Sequence, residues 1–167
     1  MRNMNSLVAL PFLLALTVSA ADFSAGLNAY QKKDYAAAVK EWRPLAEEGD
    51  APSQFNLGLL YIDGLGVPQD YGTAVSWFER SAQQDYAKAQ LNLGALYASG
   101  KGVKRDYVQA YKWLNVCAAK AEPKCVAQRD LVAEKLKPKQ LATAQKLASQ
   151  FTPKQEPGKE DPNNPDK

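Results

Sequence analysis

The chain contains no histidine and only two cysteines in its 167 residues. Without histidine, neither a Ser-His-Asp triad nor a Cys-His pair can be assembled, and the commonest metal ligand is missing. No Ser-x-x-Lys segment occurs either, which argues against a serine enzyme of the β-lactam-processing type. We therefore predict a protein that is not an enzyme, with no catalytic, metal-binding or cofactor-binding residues and no cofactor.

Long hydrophobic runs are scarce as well, because the only one lies near the N-terminus. Residues 7–18 (LVALPFLLALTV) are too few to span a bilayer as a helix but suit a signal peptide over residues 1–20. The small residues at Val18-Ser19-Ala20 predict cleavage after Ala20 or Ala21. The alternative is an uncleaved N-terminus that associates reversibly with a membrane.

No charge of one sign dominates the composition. The formal net charge is +3, and cleavage of residues 1–20 would remove only Arg2 and lower it to +2. This charge is too small for a nucleic-acid-binding surface, and no basic stripe accompanies it. We expect an exported protein, periplasmic or secreted, with no nucleic-acid partner and no stable membrane anchor after cleavage.

What the chain does contain is an internal repeat of 36 residues. Residues 51–86 read APSQFNLGLLYIDGLGVPQDYGTAVSWFERSAQQDY, and residues 87–122 read AKAQLNLGALYASGKGVKRDYVQAYKWLNVCAAKAE. Since 15 of the 36 aligned positions are identical, the similarity is too regular to be compositional. A period between 20 and 50 residues indicates stacked structural units.

Each copy predicts two helices joined by a turn. The spacing of positions 54, 57, 58, 61 and 62 is that of one helical face, and the following GLGVP segment stops the helix. Asp70 is a predicted N-cap for the second helix. The GLGV and GKGV segments follow helices rather than strands, so we interpret them as turns and not as phosphate-binding loops. The predicted buried stripe of the second helix contains Ala74, Trp77, Phe78 and Ala82.

Two glycines fall in the middle of predicted helices at the same place in the repeat. Gly58 and Gly94 each cost ~1 kcal/mol of helix stability relative to alanine. The recurrence of this cost predicts that neighbouring helices cross here too closely to admit a Cβ atom.

The pattern LGxxYxxGxGVxxDxxxAxxW, present in both copies, resembles the Sel-1-like repeat, a 36-residue relative of the tetratricopeptide repeat. The resemblance covers residues 51–122. It implies an all-α fold, an α/α solenoid of stacked helix-turn-helix repeats in a right-handed superhelix. It also implies that a concave face holds a partner.

The segments on either side of the repeats match the pattern more loosely. Residues 21–50 predict an N-terminal tetratricopeptide-like hairpin, in which Asp34 aligns with Asp70. Residues 123–151 predict a pair of capping helices that shields the last repeat from water. Residues 152–167 contain four prolines and predict a disordered tail, with a role as a tether or recognition tail as the alternative.

The two cysteines flank a predicted turn. Cys117 ends one helix and Cys125 begins the next, so in an oxidising compartment we expect a disulfide between them. Two free buried thiols are the alternative, and a redox-active pair is disfavoured because the spacing is not Cys-x-x-Cys. Cysteine-rich relatives of the Sel-1-like family carry pairs with this spacing, one position later in the repeat.

In tetratricopeptide-like arrays the first helix of each hairpin lines the groove, and this rule selects eight candidate positions. The alternative is that the apolar ones belong to the core between repeats. The tryptophans of the second helices are predicted to pack between repeats. The predicted groove residues, which would contact a protein or peptide segment, are Phe55, Asn56, Leu59, Ile62, Leu91, Asn92, Ala95 and Ala98.

Three functions remain compatible with the sequence. The favoured one is a periplasmic scaffold or adaptor that holds a protein segment in its groove. The others are an enzyme acting on cell-wall or β-lactam-like substrates, and a purely structural or stress-related exported protein.

Overall fold

The computed structural model describes residues 21–156, and all regular secondary structure in that range is helical. The signal peptide predicted over residues 1–20 and the last part of the predicted tail, residues 157–167, lie outside the described residues. The helices are α1 (Phe23–Gln31), α2 (Tyr35–Glu47), α3 (Ala51–Asp63), α4 (Tyr71–Gln83), α5 (Ala87–Ser99), α6 (Tyr107–Ala118), α7 (Pro123–Ala133) and α8 (Pro138–Ser149).

Aspartates begin the second helix of the first three hairpins, as the sequence predicts. The Asp70 carboxylate accepts hydrogen bonds from the N–H groups of Gly72 (2.8 Å) and Thr73 (3.1 Å). It also accepts one from the Thr73 hydroxyl (2.7 Å), and this bond is the main reason why the pKa of Asp70 is lowered. Asp34 and Asp106 cap α2 and α6 through the same kind of contact. Asp34, Asp70 and Asp106 are therefore helix caps.

The mid-helix glycines mark the closest helix crossings. A Cβ atom on Gly58 would lie 2.6 Å from a ring carbon of Phe78, and one on Gly94 would lie 2.6 Å from Cγ of Leu114. Both distances are far below van der Waals contact, so the prediction of a close crossing is confirmed. The first hairpin uses the same device, because a Cβ on Gly26 would lie 2.3 Å from Nε1 of Trp42.

The second glycine of each GxGV turn joins one hairpin to the preceding one. Gly66 and Gly102 have φ angles of 70° and 71°, in the left-handed region that favours glycine. A Cβ on Gly66 would meet the backbone of Tyr35 at 2.5 Å, and one on Gly102 would meet the backbone of Tyr71 at 2.3 Å. Each turn therefore packs directly against the first residue of the previous hairpin's second helix.

The core continues from hairpin to hairpin. Its largest buried side chains include Trp42 beside Leu57 and Leu60, then Phe78 and Leu93, then Leu114. Trp42 and Trp113 are almost completely buried, as predicted, whereas Trp77 is only half-buried. The Arg80 guanidinium covers the Trp77 ring at 4.8 Å from its centroid, which shields part of that exposed face.

The two closing helices both pack on α6 and have little contact with each other. Val132 of α7 and Ala144 of α8 are buried in one apolar cluster with Ala110, Tyr111 and Leu114. The C-terminal helices therefore cover the last repeat from two sides, rather than adding a fourth self-packed hairpin.

The segment after α8 differs from the predicted disordered tail. Residues 151–156 are not helical, yet they follow a defined path back over the repeats. Phe151 packs edge-on against Trp113 with ring centroids 5.6 Å apart, and the Lys154 N–H donates to the Gln83 carbonyl at 2.8 Å. The proline-rich composition obscured these contacts, because they depend on side chains of distant repeats.

Cys117 and Cys125 form a disulfide that ties α6 to α7, with their Cα atoms 5.8 Å apart. Both residues are buried. Ser81 occupies the place of Cys117 in the preceding repeat, where its hydroxyl donates to the Ala51 carbonyl at 2.8 Å. The last repeat thus has a covalent link at the position where the preceding one has a hydrogen bond.

Candidate functional site

The eight residues predicted to line a groove are not all at the surface. Phe55 is only 9% exposed, and its ring lies 5.8 Å from that of Phe78 and 5.3 Å from that of Tyr86. It is a core residue, so the alternative reading from the sequence is right at this position. The helical rule misplaced Phe55 because its side chain packs between Phe78 of α4 and Tyr86, which directly precedes the next hairpin.

Four other candidates lie at the edge of the core. Leu59 is partly buried against the cluster around Phe78, and Leu91 and Ala98 are partly buried against the cluster around Leu114. Asn56 is half-buried on α3. These side chains support the surface formed by the first helices, and their apolar parts are largely used in stacking.

The remaining three candidates come together. Ile62 of α3 and Asn92 and Ala95 of α5 line one depression of about 310 Å³ between two successive repeats. Asn92 Nδ2 donates to the Lys88 carbonyl of its own helix at 2.9 Å, which fixes the orientation of its amide. The other lining residues are Tyr71, Leu96, Ser99 and Lys101.

This depression has an apolar floor and one charged edge. Ala95 leaves space because its side chain is a single methyl group, and Ile62 and Leu96 supply apolar walls. Lys101 lies over the Tyr71 ring, with Nζ 5.5 Å from the centroid. A short apolar side chain flanked by a polar or acidic group has the size and chemistry that this surface accepts.

A larger depression of about 780 Å³ lies on another part of the surface and was not foreseen from the sequence. It is formed by the turn before α6, the first turn of α6 and the beginning of α8. No sequence signal pointed to it, because Gln140 reaches it only through the packing of α8 on α6. Its lining residues are Tyr97, Val103, Lys104, Arg105, Asp106, Tyr107, Val108, Gln109 and Gln140.

Tyr97 is the one residue near this depression with a strongly shifted pKa. Burial, together with the hydrogen bond from its hydroxyl to Glu79 (2.8 Å), raises the pKa of Tyr97 to about 12. The phenol is thus held neutral and engaged at physiological pH, which does not suit a general base. Within residues 21–156 no three metal-ligating side chains come close enough together to hold an ion.

None of the helices in residues 21–156 combines the length and apolar character needed to cross a bilayer.

Comparison with known proteins assigns the repeats. The family model described as the Sel1 repeat matches residues 51–86 and 87–116. No curated protein sequence matches the chain.

The solved structures that are similar to this one include the following two proteins. One is a protective antigen present in uropathogenic Escherichia coli strains and displaying an SLR fold; it is 33% identical, with a TM-score of 0.73 over 75% of this chain. The other is a Sel1 repeat protein from Oxalobacter formigenes, which is 26% identical, with a TM-score of 0.65 over 78% of this chain.

This chain spans only 28% of the first of those proteins and 56% of the second. The likeness therefore concerns the helical array and not the whole of either protein. The matched repeats, the all-helical architecture and the similar structures agree: the chain contains two Sel1 repeats within a helical solenoid of the SLR fold.

Proposed function

We propose that the protein is an exported scaffold or adaptor that holds a segment of a partner protein on the surface formed by α3 and α5. The observation that supports this proposal is the depression between Ile62, Asn92 and Ala95, because it is built by two successive repeats. A site of this kind exists only when the repeats are stacked, and stacked repeats are suited to binding extended partners. The partner is a protein or peptide segment with a small apolar side chain.

Export is supported by two independent features. The apolar run before Val18-Ser19-Ala20 has the length of a signal-peptide core, and the Cys117–Cys125 disulfide suits an oxidising compartment. We therefore propose a periplasmic or secreted location. The mature protein should begin at Ala21 or Asp22, which an intact-mass measurement on fractionated cells would show. A full-length cytoplasmic species as the main product would contradict this proposal.

Site-specific photocrosslinking in cells tests the binding surface. A photoreactive amino acid placed at Ala95 should give a discrete adduct that a second substitution, Ile62→Arg, abolishes. The matched control is Ala142, which is also a helical alanine but lies exposed on α8. Equal adducts from both positions, or an adduct that survives Ile62→Arg, would reject this surface.

An enzymatic role and a purely structural role are the two competing functions. An enzyme acting on a β-lactam or cell-wall substrate has less support, since the chain has no histidine and the recurring aspartates Asp70 and Asp106 serve as caps. The purified protein should not hydrolyse a chromogenic β-lactam above background. Saturable turnover that a single substitution removes would favour the enzyme, and absence of any saturable adduct at Ala95 would favour the structural role.

A further inference from the structure

The residues that follow α8 lie across the repeats as an extended strap, which we define as residues 151–156. The strap begins where Phe151 packs on Trp113 of α6. It continues antiparallel to the order of the repeats, with the Lys154 N–H bonded to the Gln83 carbonyl at the end of α4. It reaches the α2–α3 turn at Glu156, so six residues contact three successive hairpins.

The strap ends in a pocket that binds a carboxylate. The Arg80 guanidinium donates two hydrogen bonds to the Glu156 carboxylate, from Nε to Oε1 at 2.9 Å and from Nη2 to Oε2 at 2.5 Å. Gln54 Nε2 donates to Glu156 Oε2 at 3.0 Å. Arg80 and Glu156 are about one-third and one-fifth exposed, respectively. A paired carboxylate held by an arginine fork and a buried amide is one of the strongest polar contacts that proteins use.

The amide of Gln54 is held rigidly and is completely buried. Its Nε2 also donates to the Ala46 carbonyl at 3.0 Å, and its Oε1 accepts from Gln84 Nε2 at 2.9 Å. Gly49 closes this pocket without a side chain, and a Cβ placed on it would lie 2.9 Å from Cβ of Glu156. We call the pocket formed by Ala46, Gly49, Gln54, Arg80 and Gln84 the carboxylate notch.

The next repeat contains the same pocket, filled by its own side chain. Gln90 takes the place of Gln54, and its Nε2 donates to the Ala82 carbonyl at 3.1 Å. Its second acceptor is Asp85 Oδ1 at 3.0 Å, and Asp85 occupies the position that corresponds to Gly49. Lys120 then pairs with Asp85 at 2.7 Å. Both pockets therefore place a carboxylate beside the buried glutamine.

Gly49 stands where the next pocket has Asp85, so the first pocket must receive its carboxylate from another part of the chain or from another molecule. Because a buried amide N–H that loses its acceptor is destabilising, the notch favours any occupant that restores the bond. Glu156 is the occupant within the chain. Its strap is held by one aromatic contact, one backbone hydrogen bond and the notch, and these can be exchanged without unfolding a helix.

We propose that the carboxylate notch recognises an acidic side chain on an extended peptide, and that the strap occupies it in competition with a partner segment of the same chemistry. The favoured partner segment has an aromatic residue for Trp113 and a glutamate or aspartate five positions later. This surface lies at the opposite ends of the helices from the Ile62–Ala95 depression, so the proposal does not rest on the function proposed above.

The experiment tests whether the strap and a free peptide compete for the carboxylate notch. A tethered segment acts at an effective concentration in the millimolar range, so the wild-type chain should bind a free peptide weakly. The probe is a fluorophore-labelled synthetic peptide that copies residues 150–157, followed by fluorescence anisotropy. Full-chain Glu156→Gln should bind this peptide at least about tenfold more tightly than the wild type, because its own strap no longer holds the notch.

Two further variants assign the binding to the notch. In the Glu156→Gln background, Gly49→Asp should abolish peptide binding by supplying the carboxylate that Asp85 supplies in the next repeat. The equivalent Asp85 holds aspartate at a φ of 69°, whereas Gly49 has a φ of 97°, so the fold of this variant is verified by circular dichroism before its binding is measured. Arg80→Gln should also abolish binding, whereas Arg105→Gln, which makes the same charge change on a distant exposed loop, should not.

Release of the strap is measured separately by trypsin cleavage after Lys154, which should be faster in Glu156→Gln than in the wild type. Circular dichroism verifies that each variant is folded. Binding of a peptide in which glutamine replaces the glutamate, with equal affinity, would overturn the proposal. So would a released strap without peptide binding, peptide binding that survives Gly49→Asp, or a strap that Glu156→Gln does not release.

Discussion

Replacing Gly58 by alanine should destabilise the protein, although the same change in most helices is favourable. Alanine in place of a mid-helix glycine normally contributes about 1 kcal/mol. Here the new Cβ would lie 2.6, 2.8 and 2.9 Å from three ring carbons of Phe78. That ring is completely buried and packs against Phe55 with centroids 5.8 Å apart, so it has little room to move.

Overpacking a well-filled core typically costs about 1–3 kcal/mol, and a contact this short in a rigid site belongs at the upper end. After the gain in helix propensity is subtracted, we expect a net loss of about 1–2 kcal/mol. For a domain of this size that loss lowers the melting temperature by roughly 3–8 °C. Thermal and urea unfolding followed by circular dichroism give both quantities.

Gly72→Ala is the matched control, because a Cβ there would lie 3.3 Å from the Asp70 carboxylate and 3.8 Å from the Gly102 carbonyl. Its stability should stay within about 0.5 kcal/mol of the wild type. Phe78→Leu should partly relieve the clash, so that the double variant with Gly58→Ala loses less than the two single losses together. A Gly58→Ala protein that is more stable than the wild type, or strict additivity with Phe78→Leu, would refute the close-crossing argument.

Three further predictions follow from single contacts. Changing Cys117 and Cys125 together to alanine should lower the free energy of unfolding by about 2–3 kcal/mol. Non-reducing peptide mapping that found both thiols free would show that the disulfide does not form. Because folding raises the pKa of Tyr97 from 10 to about 12, the stability that this residue contributes is complete below pH 10 and is lost as the pH rises through 12. Tyr97→Phe should therefore show a shallower loss of melting temperature over that range, and parallel curves for the two proteins would contradict the raised pKa. Asp106→Ala should cost about 1 kcal/mol in urea unfolding, and no change would mean that the cap is dispensable.

The sequence predicted the features that both copies of the repeat share. The helix pair, the Asp70 cap and the need for glycine at positions 58 and 94 all follow from short-range rules, and recurrence at a fixed period removed the usual ambiguity of such rules. The pairing of Cys117 with Cys125 was equally accessible, because the two residues flank one short turn.

Features that depend on the packing of distant segments could not be predicted from the sequence by such short-range rules. Phe55 is three residues before Gly58 on α3, and spacing alone does not say whether such a side chain faces a groove or the next hairpin. The contacts of the strap could not be predicted from the sequence for the same reason. Its composition predicts disorder, and only the positions of Trp113, Gln83 and Arg80 in three-dimensional space provide it with contacts.

Positions at which successive repeats differ tell more about this particular chain than positions at which they are identical. Shared residues such as Gly58 and Gly94 satisfy stacking, a requirement that every repeat has. Where the copies differ at a buried place, a different residue supplies the acceptor. Asp85 accepts the hydrogen bond from Gln90 in its own pocket, whereas Glu156, more than a hundred positions from Gly49 in the sequence, accepts the bond from Gln54. A repeat that cannot satisfy its own buried amide is thereby joined to a segment outside the array, and that segment can be exchanged for another of the same chemistry.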